Sequence, residues 1–191
     1  MIIAPNSIEA KKHFHVAGLS GALAAAAAGD HVFAFRNPSA LKAVCITRIR
    51  VHARTTTGFT AAQEHGYGLY RLSSYDANHS GGTSLGAFIA SRDLPAQTSE
   101  LSGANIMIAT TGALTQNSAP VTATHPFDWD TYGDLAAAAT VQKGRIEIDW
   151  LSPDFKGLPL STDEGFAVAP LVTLGAGGVV RLGVEVCWYE L

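Results

Sequence analysis

Five groupings of residues carry the types and spacing that chemistry uses. Gly82-Thr83-Ser84-Leu85-Gly86 fits G-x-S-x-G, the nucleophile elbow that lifts a serine hydroxyl on a sharp turn from strand to helix. Asp93 and His125 follow in an order such a triad allows. The surroundings are an Asn-, Ser- and Gly-rich turn without alternating helices and parallel strands, so the pattern reads as a Gly/Ser loop. Glu147 and Asp149 stand two apart on an alternating segment, which sets their carboxylates about 6–7 Å apart on one face. That spacing overlaps paired glycosidase acids, but those flank the scissile bond from facing sides of a cleft, whereas two acids on one outer strand face stay solvated. His13 and His15 share the i, i+2 spacing and could clip a metal with Asp128 or Asp130, yet nothing supplies a third ligand by spacing. Gly175-Ala176-Gly177-Gly178 feeds a strand rather than the helix N-terminus of a phosphate cradle, so a tight connection with positive φ is expected there. No catalytic, metal-binding or cofactor-binding residue is assigned, and no cofactor is expected.

The fifth grouping is basic: Arg48, Arg50 and Arg54, with His52 between them. No aromatic interleaves with it, as a platform for single-stranded nucleic acid requires. An outer strand face balanced by Glu147, Asp149 and Glu185 on neighbouring strands is expected. It is also the first choice for a contact between subunits.

The elements that must position these groups follow a period of two. Over 43–54, Cys45, Thr47, Ile49, Val51 and Ala53 alternate with Arg48, Arg50, His52 and Arg54, a strand with one face in a core and one outside. Val180, Leu182, Val184, Val186 and Trp188 repeat the pattern near the C-terminus, as do Ile146, Ile148 and Trp150 over 144–151. Shorter strands are expected at 31–36, 66–73, 104–110 and 165–174, with another at 14–17. Asn37-Pro38, 78–82, Thr111-Gly112, 152–154 and 175–178 punctuate them. Leu19–Ala28, ending at Gly29, and Asp134–Gln142 are expected to be loops with a turn or two of helix. Thr55–Gln63 reads the same way. Seven or more antiparallel-type strands without a long amphipathic helix mean an all-β, antiparallel sandwich or barrel. Residues 1–29, rich in Ala, read as an N-terminal arm with Leu19 and Leu23 as candidate contacts on a neighbouring subunit. Residues 30–191 read as a single domain.

Composition bounds the function. The 191 residues include 13 Lys+Arg and 16 Asp+Glu, a net charge of −3, and the pI is near 6.1. A nucleic-acid binder working through bulk positive charge is excluded. No apolar run reaches the roughly 18–20 residues of a membrane span, and the basic start of a signal peptide is absent. Two cysteines, Cys45 and Cys187, cannot make a disulfide framework and read as strand thiols in a reducing compartment. Charged residues are only 15%, against about 25% in an ordinary soluble domain. A surface so poor in charge suits close contact with other protein.

Several segments together resemble a family of tailed-bacteriophage virion proteins. They are Phe35-Arg36-Asn37-Pro38, Gly58-Phe59-Thr60-Ala61-Ala62-Gln63, Gly68-Leu69-Tyr70-Arg71, Leu158-Pro159-Leu160, Glu164-Gly165-Phe166-Ala167-Val168, and Gly175-Ala176-Gly177-Gly178 through Val184-Glu185-Val186-Cys187-Trp188. Their order and spacing carry the likeness, from about residue 31 to the end. The resemblance implies a jelly-roll-like sandwich, packed as a homo-oligomer in the virion after assembly in the host cytoplasm. It carries over no catalytic residue.

The expectation is therefore a non-enzymatic structural protein of a bacteriophage virion, a capsid decoration or cement subunit. Its partners would be copies of itself and a major capsid or other virion protein, with no nucleic acid and no membrane. A tail or head-fibre component is the alternative within the particle. A carbohydrate- or receptor-binding module is the alternative of another class, and it would need clustered exposed aromatics. Its candidates are Tyr67, Tyr70, Tyr75 and Tyr132, and above all Phe127 and Trp129 in an exposed loop.

Overall fold

In the computed structural model, the chain is described over residues 12–24, 26–39, 43–74, 77–85, 89–90, 99–116, 121–122, 124–134, 143–149 and 157–190. Thirteen strands run through these residues. They are β1 (Lys12–Leu19), β2 (Phe33–Arg36), β3 (Val44–Thr57), β4 (Gln63–Ser73), β5 (Gly82–Ser84), β6 (Ile89–Ala90), β7 (Ile106–Ala109), β8 (Val121–Thr122), β9 (Asp128–Asp134), β10 (Lys143–Asp149), β11 (Leu158–Leu160), β12 (Gly165–Pro170) and β13 (Val179–Glu190). One sheet is ordered β10-β3-β13-β1-β6, with β11 also on β3; the other is ordered β5-β7-β2-β12-β4-β8, with β9 also on β4. Every pairing is antiparallel.

If β1, β2, β3, β4, β9, β10, β12 and β13 are lettered B to I, the sheets read G-D-I-B and C-H-E-F. That is the strand order of a jelly roll, with four of the eight strands in each of two packed sheets. The sandwich expected from the periodicity is present, with the topology that the resemblance implies. No helix among the described residues is long and apolar enough to cross a membrane.

The core lies between the sheets and is stitched by aromatic rings. Trp188 from β13 stacks on Phe14 of β1 at 5.7 Å and meets Phe35 of β2 edge-on at 5.4 Å. Phe35 in turn stacks on Phe166 of β12 at 5.5 Å. Trp188, Phe14, Phe35 and Phe166 are all fully buried. Each such side chain contributes roughly 1.5–3 kcal/mol through burial, and offset or edge-on pairing adds about 0.5–1.5 kcal/mol.

β3 departs from strict alternation. Cys187 lies opposite Arg48 but Trp188 lies opposite Ile46, so Thr47 is the extra residue of a β-bulge. The bulge shifts the phase. Val44 and Ile46 join Ile49, Val51 and Ala53 in the core between the sheets, while Cys45 and Thr47 are buried outside it. The grouping of Cys45 and Thr47 with Ile49 is thereby corrected.

Two further expectations change. Segment 19–28 contains no helix where it is described: Leu23 bridges to Val180, and Ser20 N–H donates to the Leu182 carbonyl at 2.7 Å. Pairing with β13 outcompetes the weak helix propensity of a short Ala run. Gly29 does take positive φ, at 81°, but closes a turn in which Asp30 accepts from the Ala27 N–H. β1 lies between β13 and β6, so within the proposed arm residues 12–24 belong to the sandwich. Residues 1–11 lie outside the described residues, as does 135–142. The connection over 55–63 shortens to residues 58–62, because β3 runs to Thr57 and β4 starts at Gln63. Among the described residues, the helical turn is a 3-10 turn at Gly103–Asn105.

Candidate functional site

The outer face of the β10-β3-β13-β1 sheet holds the basic stripe. Cross-strand register sets Glu147, Arg50 and Glu185 in one row. Arg50 donates from Nε to Glu147 at 2.6 Å and lies 3.5 Å from Glu185; Arg48 donates to Glu185 at 2.5 Å. Arg145 also pairs with Glu147, and His15 stands 3.7 Å from Glu185. Burial raises the Glu185 carboxyl, but Arg48, Arg50 and His15 outweigh it and hold the group below its ordinary value. Two of the three stripe arginines are thus spent on carboxylates of neighbouring strands. Arg54 is exposed, and its side chain makes no hydrogen bond or ion pair among the described residues. The Asp149 side chain lies outside the described residues.

The two leucines of the N-terminal segment part company. Leu19 is 61% exposed at the end of β1, whereas Leu23 is fully buried in the core. Leu23 has no surface to offer a neighbouring subunit, because its bridge to Val180 turns it between the sheets.

Phe127 and Trp129 are exposed, at 40% and 59%. They sit at the entry and second position of β9 rather than in a loop. Phe127 N–H donates to the Leu69 carbonyl at 2.8 Å, and Trp129 pairs with Gly68. Tyr67 and Tyr132 are buried, which removes them as surface aromatics. Tyr70 is half-buried, and Tyr75 lies outside the described residues.

The chemical groupings disperse. Ser84 is exposed within the short edge strand β5, opposite Met107, and not at a strand-to-helix turn. His125 is exposed with its Nδ1 3.0 Å from the Thr124 hydroxyl, while Asp93 lies outside the described residues. His13 lies 3.2 Å from the Thr47 hydroxyl, and burial, Arg48 and His15 lower its pKa. Asp130 accepts from the Arg145 N–H at 2.6 Å, and Asp128 from the Trp129 N–H at 2.9 Å. No group of three or more metal-ligating side chains occurs among the described residues. Gly177 has φ of 79°, the positive value expected for that connection. Cys45 and Cys187 are buried free thiols on strands; burial pushes the Cys187 thiol up.

One buried pair escaped the sequence reading. His31 Nδ1 and His79 Nε2 are 2.8 Å apart, with the rings stacked at 5.1 Å. Desolvation pulls both pKa values down to about 4, opposed at His31 by Asp30 and reinforced at His79 by His31. The partners are 48 residues apart, so no local spacing announces them.

A densely bonded join lies where β2, β4, β11 and β12 meet. Asn37, fully buried, donates from its amide to the Leu160 and Ser161 carbonyls at 3.0 and 3.2 Å. Its backbone exchanges bonds with Glu164 and Asp163. Arg36 pairs with Asp163, and Arg71 donates to the Pro159 carbonyl and to Glu164. Comparison with protein-family models, curated proteins and solved structures finds no match.

Proposed function

We propose that the chain is a non-enzymatic structural protein of a tailed-bacteriophage virion, a capsid decoration or cement subunit that acts as a homo-oligomer. The observation that carries this reading is where the segments of the resemblance lie. Residues 35–38, 68–71 and the neighbouring pair 158–160 and 164–168 come from three distant parts of the sequence yet meet at the Asn37 join. Phe35 faces Phe166, Tyr70 faces Ala167, and Asn37 bonds to Leu160. The other two segments meet at the opposite end: Thr60 N–H donates to the Ala176 carbonyl, and Phe59 packs on Gly178. A likeness made of mutually contacting framework residues favours a shared building block over a shared active site.

Decoration works through many symmetric copies, each adding a modest interface to a shell. A standard interface of about 1,600 Å² in total fits a domain of this size. The test is light scattering of the purified protein, followed by sedimentation with undecorated phage capsids. A defined oligomer that pellets with shells supports the proposal; a protein left in the supernatant overturns it. Exposed Phe127 and Trp129 favour a glycan-binding head as the second reading, because sugars stack on such rings. Retention on a glycan column, lost in Trp129→Ala, would move the assignment there.

A further inference from the structure

Charge on the outer face of the β3/β13 sheet is arranged in two different ways. The row through Arg50 alternates in sign, with Glu147 on one side and Glu185 on the other. Four residues along β3, Arg54 lies directly opposite Arg181 of β13, and Lys143 takes the register position on its β10 flank. Arg54 and Arg181 are both exposed, and neither side chain makes a hydrogen bond or ion pair among the described residues. The flanking positions bring no acid: Thr56 and Val179 stand beyond, and His52, Gly183 and Arg145 on the near side. Arg145 is already bound to Glu147.

Like charges directly opposite across a sheet destabilise it. The same face neutralises its other arginines, so this row is a local conflict of the kind found where a surface is built for a partner. We infer that Arg54 and Arg181, in register with Lys143, form a docking row for a cluster of carboxylates on a partner protein. Within the function proposed above, on which this inference rests, that partner is the shell protein. Charge complementarity selects the occupant. Guanidinium forks take carboxylates two bonds at a time. Neighbouring strands are about 4.8 Å apart, so the row spans only roughly 10 Å. A nucleic acid is held instead by an extended basic field, and a chain of net charge −3 does not supply one.

The row makes stability and binding move in opposite directions, which a structural role does not. Arg54→Ser combined with Arg181→Ser should raise the Tm of the free protein by about 1–3 °C. Arg48→Ser, which abandons Glu185, should lower it. The double variant should bind undecorated shells about tenfold more weakly at low salt, and added salt should weaken it less than the natural protein. Natural protein that ignores shells removes the function proposed above. Natural protein that binds shells, with the double variant binding equally well, removes this inference alone, as does a Tm that falls. Loss of self-association in the double variant would make the occupant a second copy and overturn the assignment to a shell protein.

Discussion

Asn37 replaces a stretch of backbone pairing with its own side chain. Its amide donates to the carbonyls of Leu160, the last residue of β11, and Ser161, and its side-chain oxygen accepts from the Ser39 N–H at 3.1 Å. Truncation removes all three bonds, the one to Leu160 being buried, so Asn37→Ala should cost about 2–3 kcal/mol in denaturant unfolding. His31 and His79 set a pH dependence. Their folded pKa values, about 4, lie below the ordinary 6.5, so the unfolded chain takes up protons first. Stability is therefore full above about pH 6.5, falls toward pH 4, and flattens below. The slope is at most about 1.4 kcal/mol per pH unit for each imidazole. His79→Gln should remove the His79 share of that slope in unfolding curves taken across this range. The basic stripe was legible because strand alternation sorts residues by face; the exposure of Phe127 and Trp129 was legible too, though as a loop and not as the start of β9. Asn37 and the histidine pair were not, because their partners are supplied by the tertiary fold.

At the scale of elements, glycines and a bulge decide how strands meet. Gly144 of β10 lies under Tyr132 of β9, and a Cβ there would stand 2.5 Å from the ring. Tyr132 also packs on His65 at 5.3 Å, so an added methyl displaces a ring that is already engaged. Gly144→Ala should therefore cost about 1–3 kcal/mol, read as a lower denaturation midpoint at unchanged slope. β13 was legible over its whole apolar face, since Val180, Leu182, Val184, Val186 and Trp188 never leave phase. β3 was legible only beyond Thr47, because a bulge inserts one residue without a sequence mark. Segment 19–28 misled because its alanines carry no face, and pairing with β13 decided the conformation.

For the molecule as a whole, an aromatic chain, Phe14–Trp188–Phe35–Phe166, runs from one sheet to the other through the core. Trp188 is its centre, so Trp188→Ala should cost about 3–5 kcal/mol; a smaller loss, with the two sheets unfolding in separate transitions, would contradict that role. Periodicity disclosed two-faced strands and hence an all-β layer structure. It could not disclose the jelly-roll order, because alternation records which face is buried and not which strand lies beside which. Whether this sandwich joins a capsid shell is read by sedimenting the protein with undecorated phage capsids and counting bound copies at saturation. A plateau at a fixed number of copies per shell, declining with salt, is expected. Protein remaining in the supernatant at every ratio would contradict it.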